Sequence, residues 1–225
     1  MLDAYPWIQA LWGGAASSGD TGLLVAVEGA HGSGKSTTVD SVVALLAARA
    51  TDHVATKEPT PGELGDFVRT ASEWLDGSAL AALIAADRWY HVETIIAPAL
   101  SRGAIVITDR YIPSSLVLQT MDGVALAYIV AVNNGLPAPA LTVFLDCPVE
   151  VLARRRSARQ GSTRFERDGD MVEEAALYQT VAAGLERGLD ERVMAFDSSL
   201  VPPGQIAEAV VARIDRLRAV GGIAE

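Results

Sequence analysis

The sequence predicts an α/β fold with a five-stranded parallel sheet and helices on both faces. Three observations predict it: five short apolar runs recur along the chain, stretches of helical spacing separate them, and the first run leads into a glycine-rich loop that opens a helix. The runs are continuous rather than alternating, as expected for strands buried on both faces, and turn-forming residues bound them.

The predicted strands cover residues 23–27, 53–56, 104–108, 141–145 and 192–196. Helical spacing covers 35–50, 63–75, 78–102, 125–133, 149–159, 171–189 and 204–220. Pro137, Pro139, Pro202 and Pro203 fall between elements, where a fixed φ and a missing N–H do least harm. The 225 residues are 50% hydrophobic and 20% charged, enough for one sizeable core. We read residues 1–21 as an N-terminal extension and 22–225 as the domain, with Trp7 and Trp12 docked on its body.

Eighteen basic against 28 acidic residues give a net charge of −10, which argues against non-specific binding of nucleic acid or an anionic membrane. A phosphate ligand then requires a local basic site. Cys147 is the only cysteine, so intrachain disulfides and cysteine-rich zinc sites are excluded. No apolar run reaches the roughly 18 residues of a membrane span, and residues 1–20 lack a secretory leader pattern, so a cytoplasmic location is expected.

The loop after the first strand reads Gly29-Ala30-His31-Gly32-Ser33-Gly34-Lys35-Ser36-Thr37 and matches G-x-x-x-x-G-K-[ST]. Glycines let backbone N–H groups turn inward around phosphate oxygens, and the helix that follows points its positive end at them. Lys35 reaches the β- and γ-phosphates, and the Ser36 hydroxyl is a candidate Mg²⁺ ligand. The expected fold is therefore that of a P-loop NTPase. His31 reads as a spacer, and His53 and His91 have no partner that the sequence identifies.

Four further segments follow in order. They are Lys57-Glu58-Pro59 with Gly62-Glu63-Leu64-Gly65 and Arg69; Ala85-Ala86-Asp87-Arg88; Asp109-Arg110-Tyr111 with Ser114, Ser115 and Gln119; and Arg164-Phe165-Glu166. Together with the loop they resemble the thymidylate kinase family of P-loop nucleoside monophosphate kinases, from about Leu23 onward. The resemblance implies transfer of the γ-phosphoryl of ATP to a pyrimidine nucleoside 5′-monophosphate, dTMP first, with Mg²⁺. It also implies an acceptor pocket of Glu58, Pro59, Arg69, Ile84, Arg88, Arg110, Ser114, Ser115, Leu118, Gln119 and Phe165. Within it Arg110 lies near the acceptor phosphate, Arg88 near base or phosphate, and Asp109 near metal and acceptor.

Six arginines, Arg154, Arg155, Arg156, Arg159, Arg164 and Arg167, crowd a stretch that the resemblance makes a mobile lid, about residues 154–170. The phosphate loop itself has no arginine. Arg156 is therefore expected to bind ATP, and Arg159 and Arg164 to supply charge to the transition state. A homodimer through the 78–102 helix is a further expectation.

Three positions depart from the family pattern. Ile84 stands where a phenylalanine commonly stacks on thymine, Leu118 where a tyrosine crowds the ribose 2′ position, and Thr163 where an aspartate precedes Arg-Phe-Glu. At this level three alternatives stay open: a kinase for another or modified pyrimidine nucleotide, a deoxynucleoside kinase using Glu58 as base, and a non-catalytic ATP-binding protein.

Overall fold

The computed structural model describes residues 6–12, 22–158, 164, 167, 169–189 and 192–221. Five strands, β1 (Leu23–Glu28), β2 (His53–Lys57), β3 (Ile105–Asp109), β4 (Leu141–Asp146) and β5 (Val193–Asp197), form one sheet in the order β2-β3-β1-β4-β5. Every pairing is parallel, with Val25 opposite both Ile107 on β3 and Leu141 on β4. The central β1 thus carries neighbours on both sides, and the loop after it opens at the carboxyl end of the sheet, where α/β proteins place their ligands.

The helices are α1 (Pro6–Trp12), α2 (Lys35–Ala48), α3 (Glu63–Ala71), α4 (Gly77–His91), α5 (Ala97–Ser101), α6 (Ile112–Met121), α7 (Leu126–Asn133), α8 (Val149–Ser157), α9 (Met171–Leu189) and α10 (Pro203–Gly221). Alternate residues of β1 point to opposite layers. Val25 and Val27 pack with Val39, Val42 and Leu46 of α2 and with Ile206, Val210 and Ile214 of α10. Leu24 and Ala26 join the larger core, which draws on α1, α4 to α7 and α9. The continuous apolar strands are explained by this two-sided burial. Among the described residues no helix is long and apolar enough to cross a membrane.

The structure differs from the sequence expectation at three elements. Helix α6 was not anticipated, because all of Ile112–Gln119 is buried and a helix enclosed on every side has no polar face to reveal its period. The 78–102 stretch is helical but not uniform: α4 passes through a π turn, Val92–Ile96, before α5. Pro98 at the start of α5 has no N–H to give to the carbonyl a turn earlier, and a widened turn accommodates that loss. The third is α1 within the extension. Its Trp7, Ile8, Leu11 and Trp12 are buried in the larger core, and Ile8 packs over Gly188 of α9. Both tryptophans dock on the body, as expected.

The indole N–H groups of Trp7 and Trp12 are buried without a hydrogen-bond partner among the described residues. Their contribution is therefore apolar contact, opposed by an unmet donor that costs about 1–3 kcal/mol. Trp7→Ala should lower the unfolding free energy by about 3–5 kcal/mol in a denaturant titration. Trp7→Phe should stay within about 1 kcal/mol of wild type, because removal of the unmet donor offsets lost volume.

Candidate active site

The phosphate loop departs from the end of β1 under tight steric limits. Gly29 has φ +143°, and a Cβ there would lie 2.3 Å from the carbonyl oxygen of Leu145, so only glycine fits. Gly34, at φ +97°, hands the chain to α2, whose first residue is Lys35. The Lys35 ammonium folds back over the loop and donates to the carbonyls of Gly29 (2.8 Å) and Ala30 (3.0 Å). Burial, then the nearby Arg110 charge, lower its pKa to about 7. The buried Ser33 hydroxyl has no hydrogen-bond partner among the described residues. Phosphate oxygens would satisfy both groups.

Beside the loop lies a cleft of about 320 Å³ lined by Gly32, Ser33, Gly34, Thr37, Arg155, Ser198, Pro203 and Ile206. Its arginine is Arg155, whose guanidinium reaches the Ser198 carbonyl (2.9 Å) and hydroxyl (3.1 Å) and the carbonyl of Gly32 (3.3 Å). Arg156, the residue expected at ATP, turns instead to the His31 carbonyl (3.0 Å) and to Glu174. Adjacent helical residues point about 100° apart, and sequence spacing alone did not say which of the two faces the cleft.

Glu174, near the start of α9, is 1% exposed and gathers three donors. Besides Arg156 it accepts the His31 backbone N–H (2.9 Å) and the His31 Nδ1–H (2.7 Å). Burial alone would raise its pKa, but the His31 bonds and the Arg110 charge hold it at about 2. Burial followed by Arg110 lowers His31 to about 4, so this ring is neutral at pH 7. His31 is more than a spacer: it ties the loop to α9.

At the carboxyl end of β3, Asp109 accepts the Ser36 hydroxyl at 2.7 Å, which brings together the two residues singled out for metal binding. Among the described residues no group of three or more His, Cys, Asp or Glu side chains is placed to hold a metal ion. One carboxylate, one hydroxyl, water and phosphate oxygens form the donor set that Mg²⁺ commonly takes. The next residue, Arg110, has φ 75°, a left-handed conformation unusual for a side chain of this size. That turn sends its guanidinium to the Tyr178 hydroxyl (2.8 Å) and the Ser114 hydroxyl (3.1 Å).

Beneath them Glu28, the last residue of β1, is fully buried. It accepts the Tyr111 N–H (2.7 Å) and the Ser114 hydroxyl (2.6 Å). Burial raises its pKa to about 7 against the lowering effects of Ser114 and Arg110. The sequence reading passed over Glu28, although a carboxylate ending an otherwise apolar strand was a visible signal.

A second pocket is lined by Glu58, Pro59, Ile84, Arg88, Arg110, Ser114, Ser115, Leu118 and Gln119, all expected acceptor residues. Arg88 is 2% exposed and donates from Nε to Glu58 (2.7 Å), from Nη1 to Asn133 (2.5 Å) and from Nη2 to the Tyr111 carbonyl (3.3 Å). Asp87 accepts from the Thr60 N–H (2.9 Å) and hydroxyl, so adjacent helix residues both fasten the chain after β2. The Asp-Arg pair is thus buried and structural, and Arg88 lines the pocket as well. Gln119 Oε1 is buried with no partner among the described residues.

Two expected site residues lie elsewhere. Arg69 is engaged with the carbonyls of Pro59 (2.8 Å) and Thr60 (3.2 Å) and with Asp66, so it supports the turn rather than lining the pocket. Arg164 forms a two-pronged pair with Asp122 at the end of α6 (2.6 and 3.0 Å) and donates to the Ser72 carbonyl (2.9 Å). Arg159, Phe165 and Thr163 lie outside the described residues.

A family model described as thymidylate kinase matches residues 27–201. The chain is 36% identical over 200 residues to a thymidylate kinase of Xanthomonas campestris pv. campestris, covering 88% of this chain and 87% of that protein. It is 38% identical over 154 residues to a probable thymidylate kinase of Pyrococcus abyssi, covering 65% and 75%. A thymidylate kinase of Xanthomonas oryzae pv. oryzae is 38% identical over 168 residues, covering 73% and 72%.

Glu28 makes stability depend on pH in a calculable direction. Its folded pKa lies above the unfolded value, so the folded protein holds the extra proton between about 4.5 and 7, and stability falls as pH rises through that window. Above pH 7 the cost is fully present. Glu28→Gln should therefore be more stable than wild type at pH 8, by about 1–3 kcal/mol, with the difference vanishing near pH 4.5. Denaturant midpoints of both proteins across that range check it, and an equal gain at both ends would refute it.

Proposed function

The chain belongs to the thymidylate kinase family, and we propose that it transfers the γ-phosphoryl of ATP to dTMP with the loop, the cleft and the second pocket acting as one site. It is a nucleoside monophosphate kinase. The observation that carries this reading is the place of Arg110, which lines the acceptor pocket and directly follows Asp109, the acceptor of the Ser36 hydroxyl at the end of the phosphate loop. This guanidinium lines the acceptor pocket, yet its charge depresses Lys35 in the phosphate loop. Two neighbouring cations in a buried place are favourable only once anions arrive on both sides.

In this reading Gly29 to Thr37 hold the triphosphate, with the adenosine in the cleft against Arg155 and Pro203. Ser36 and Asp109 would hold Mg²⁺, which neutralises phosphate oxygens when bound. Arg110, kept aimed by Tyr178 and Ser114, holds the acceptor phosphate in line with the γ-phosphorus. Lys35 and Arg110 then follow the charge as it moves from one bridging oxygen to the other. Arg156 acts through His31 and Glu174 in holding the loop. A cytoplasmic site of action fits this reading.

The base is read by Arg88 and Gln119. Arg88 has five N–H donors and no acceptor, while Gln119 Oε1 is an unmet acceptor. Thymine presents O4 to a donor and N3–H to an acceptor, so both groups are satisfied. Cytosine presents an amino group where Arg88 has only donors, and a flip of the glutamine amide does not remedy that. Ile84 and Leu118 give aliphatic contact to the 5-methyl group. The deoxynucleoside kinase alternative is not favoured, because both Glu58 oxygens are engaged, by Arg88 and by His91.

A panel of dTMP, dUMP, UMP, CMP, dCMP and thymidine tests the assignment. kcat/KM should favour dTMP over dCMP by at least about a hundredfold and over dUMP by about tenfold, and Lys35→Ala should abolish turnover. Thymidine outpacing dTMP would replace the reading by a nucleoside kinase, and ATP binding without acceptor-dependent ADP release would replace it by a binding protein.

A further inference from the structure

The polar groups behind the acceptor pocket form one continuous chain. Thr56 and Glu58 stand two residues apart at the end of β2, and Arg88 and His91 stand three apart on one face of α4. The strand pair therefore meets the helix pair. Thr56 Oγ1 lies 2.7 Å from His91 Nε2, and His91 Nδ1 lies 3.3 Å from Glu58 Oε1. Glu58 Oε2 takes the Arg88 Nε–H, and Asn133 takes Nη1. Asn133 is itself oriented by donation from Nδ2 to the Ile129 carbonyl (2.7 Å). All five side chains are buried, and His91 is 0% exposed.

The partners fix the tautomer. An ionised carboxylate only accepts, so His91 Nδ1 carries the proton, Nε2 is the acceptor, and the Thr56 hydroxyl donates to it. The consequence is mechanical. Arg88 holds Glu58 by one oxygen through Nε alone, and a single bond leaves the carboxylate free to rotate about its own axis. His91 on the other oxygen removes that freedom. Glu58 and Asn133 then fix the plane of the Arg88 guanidinium, with the Tyr111 ring centroid 5.7 Å from its carbon. Three of the five Arg88 N–H groups are taken, which leaves one each on Nη1 and Nη2 of a side chain that lines the pocket.

We infer that His91, oriented by Thr56, is a positioning residue for base selection: it locks Glu58 so that Arg88 presents its two remaining N–H groups to the pyrimidine. This deepens the proposed function and rests on its placement of the base at Arg88. His91 does not touch the nucleotide.

The test compares His91→Leu, which removes the donor, with His91→Asn, whose Nδ2–H restores a donor to Glu58. Affinity for dTMP is measured by direct titration without ATP, and KM for each substrate and the dTMP to dCMP ratio of kcat/KM by turnover. His91→Leu should weaken dTMP about tenfold and compress the ratio about tenfold, with KM for ATP within twofold of wild type. His91→Asn should recover most of both losses. A variant that loses thermal stability but keeps dTMP affinity and the ratio overturns the inference, as does Asn behaving like Leu. Should His91→Leu not fold, Thr56→Val carries the same readouts, and an unmoved ratio there overturns it equally. Wild type that binds dTMP but never phosphorylates it would sink the kinase reading alone, since the titration still scores His91.

Discussion

The arrangement depends on concentrating positive charge inside an acidic protein before any anion has arrived. Lys35, Arg110, Arg155 and Arg156 converge on one short loop in a chain of net charge −10. Mutual repulsion and desolvation oppose this, and Lys35 registers both in its lowered pKa. Two buried carboxylates hold the cations in place. Glu174 anchors Arg156 and the His31 segment, while Glu28 lies under Arg110 through Ser114. Their own ionisation behaviour separates their roles: Glu174, bonded to His31 and Arg156, stays charged, whereas Glu28 carries a proton easily. A proton on Glu28 leaves less negative charge beneath Arg110 when polyanions enter.

The same economy governs the acceptor side. Helix α4 sends successive residues into the turn after β2, Asp87 to Thr60 and Arg88 to Glu58, and Arg69 holds the carbonyls of that turn from α3. Side chains that might have been counted as ligands are partly structural. This division explains why Arg69 lies behind the pocket while Arg88 still lines it: a guanidinium has five donors and can brace a wall and face a ligand together.

Legibility from sequence followed the locality of the signal. The five strands and the loop were readable because each lies in a short segment whose pattern repeats a physical requirement; the residues of the second pocket, Glu58, Ile84, Arg88, Ser114 and Gln119, came only through the resemblance of their segments to the family. Glu28, His91, Asn133, Glu174 and Tyr178 were not. Each is a single polar residue with a partner distant in the chain, His31 to Glu174 being separated by 143. Helix α6 escaped for a related reason, since complete burial erased the amphipathic period. The choice between Arg155 and Arg156 turned on helical phase, which a cluster of adjacent arginines cannot express.

The described arginines of the arginine-rich stretch divide between two sets of partners. Arg155 borders the cleft assigned to ATP and Arg156 braces the phosphate loop, whereas Arg164 pairs with Asp122 beyond the acceptor helix α6 and Arg167 reaches Glu73 (2.5 Å) after α3. The Arg164 to Asp122 pair is largely shielded from solvent and two-pronged, a geometry that resists rotation better than a single exposed contact.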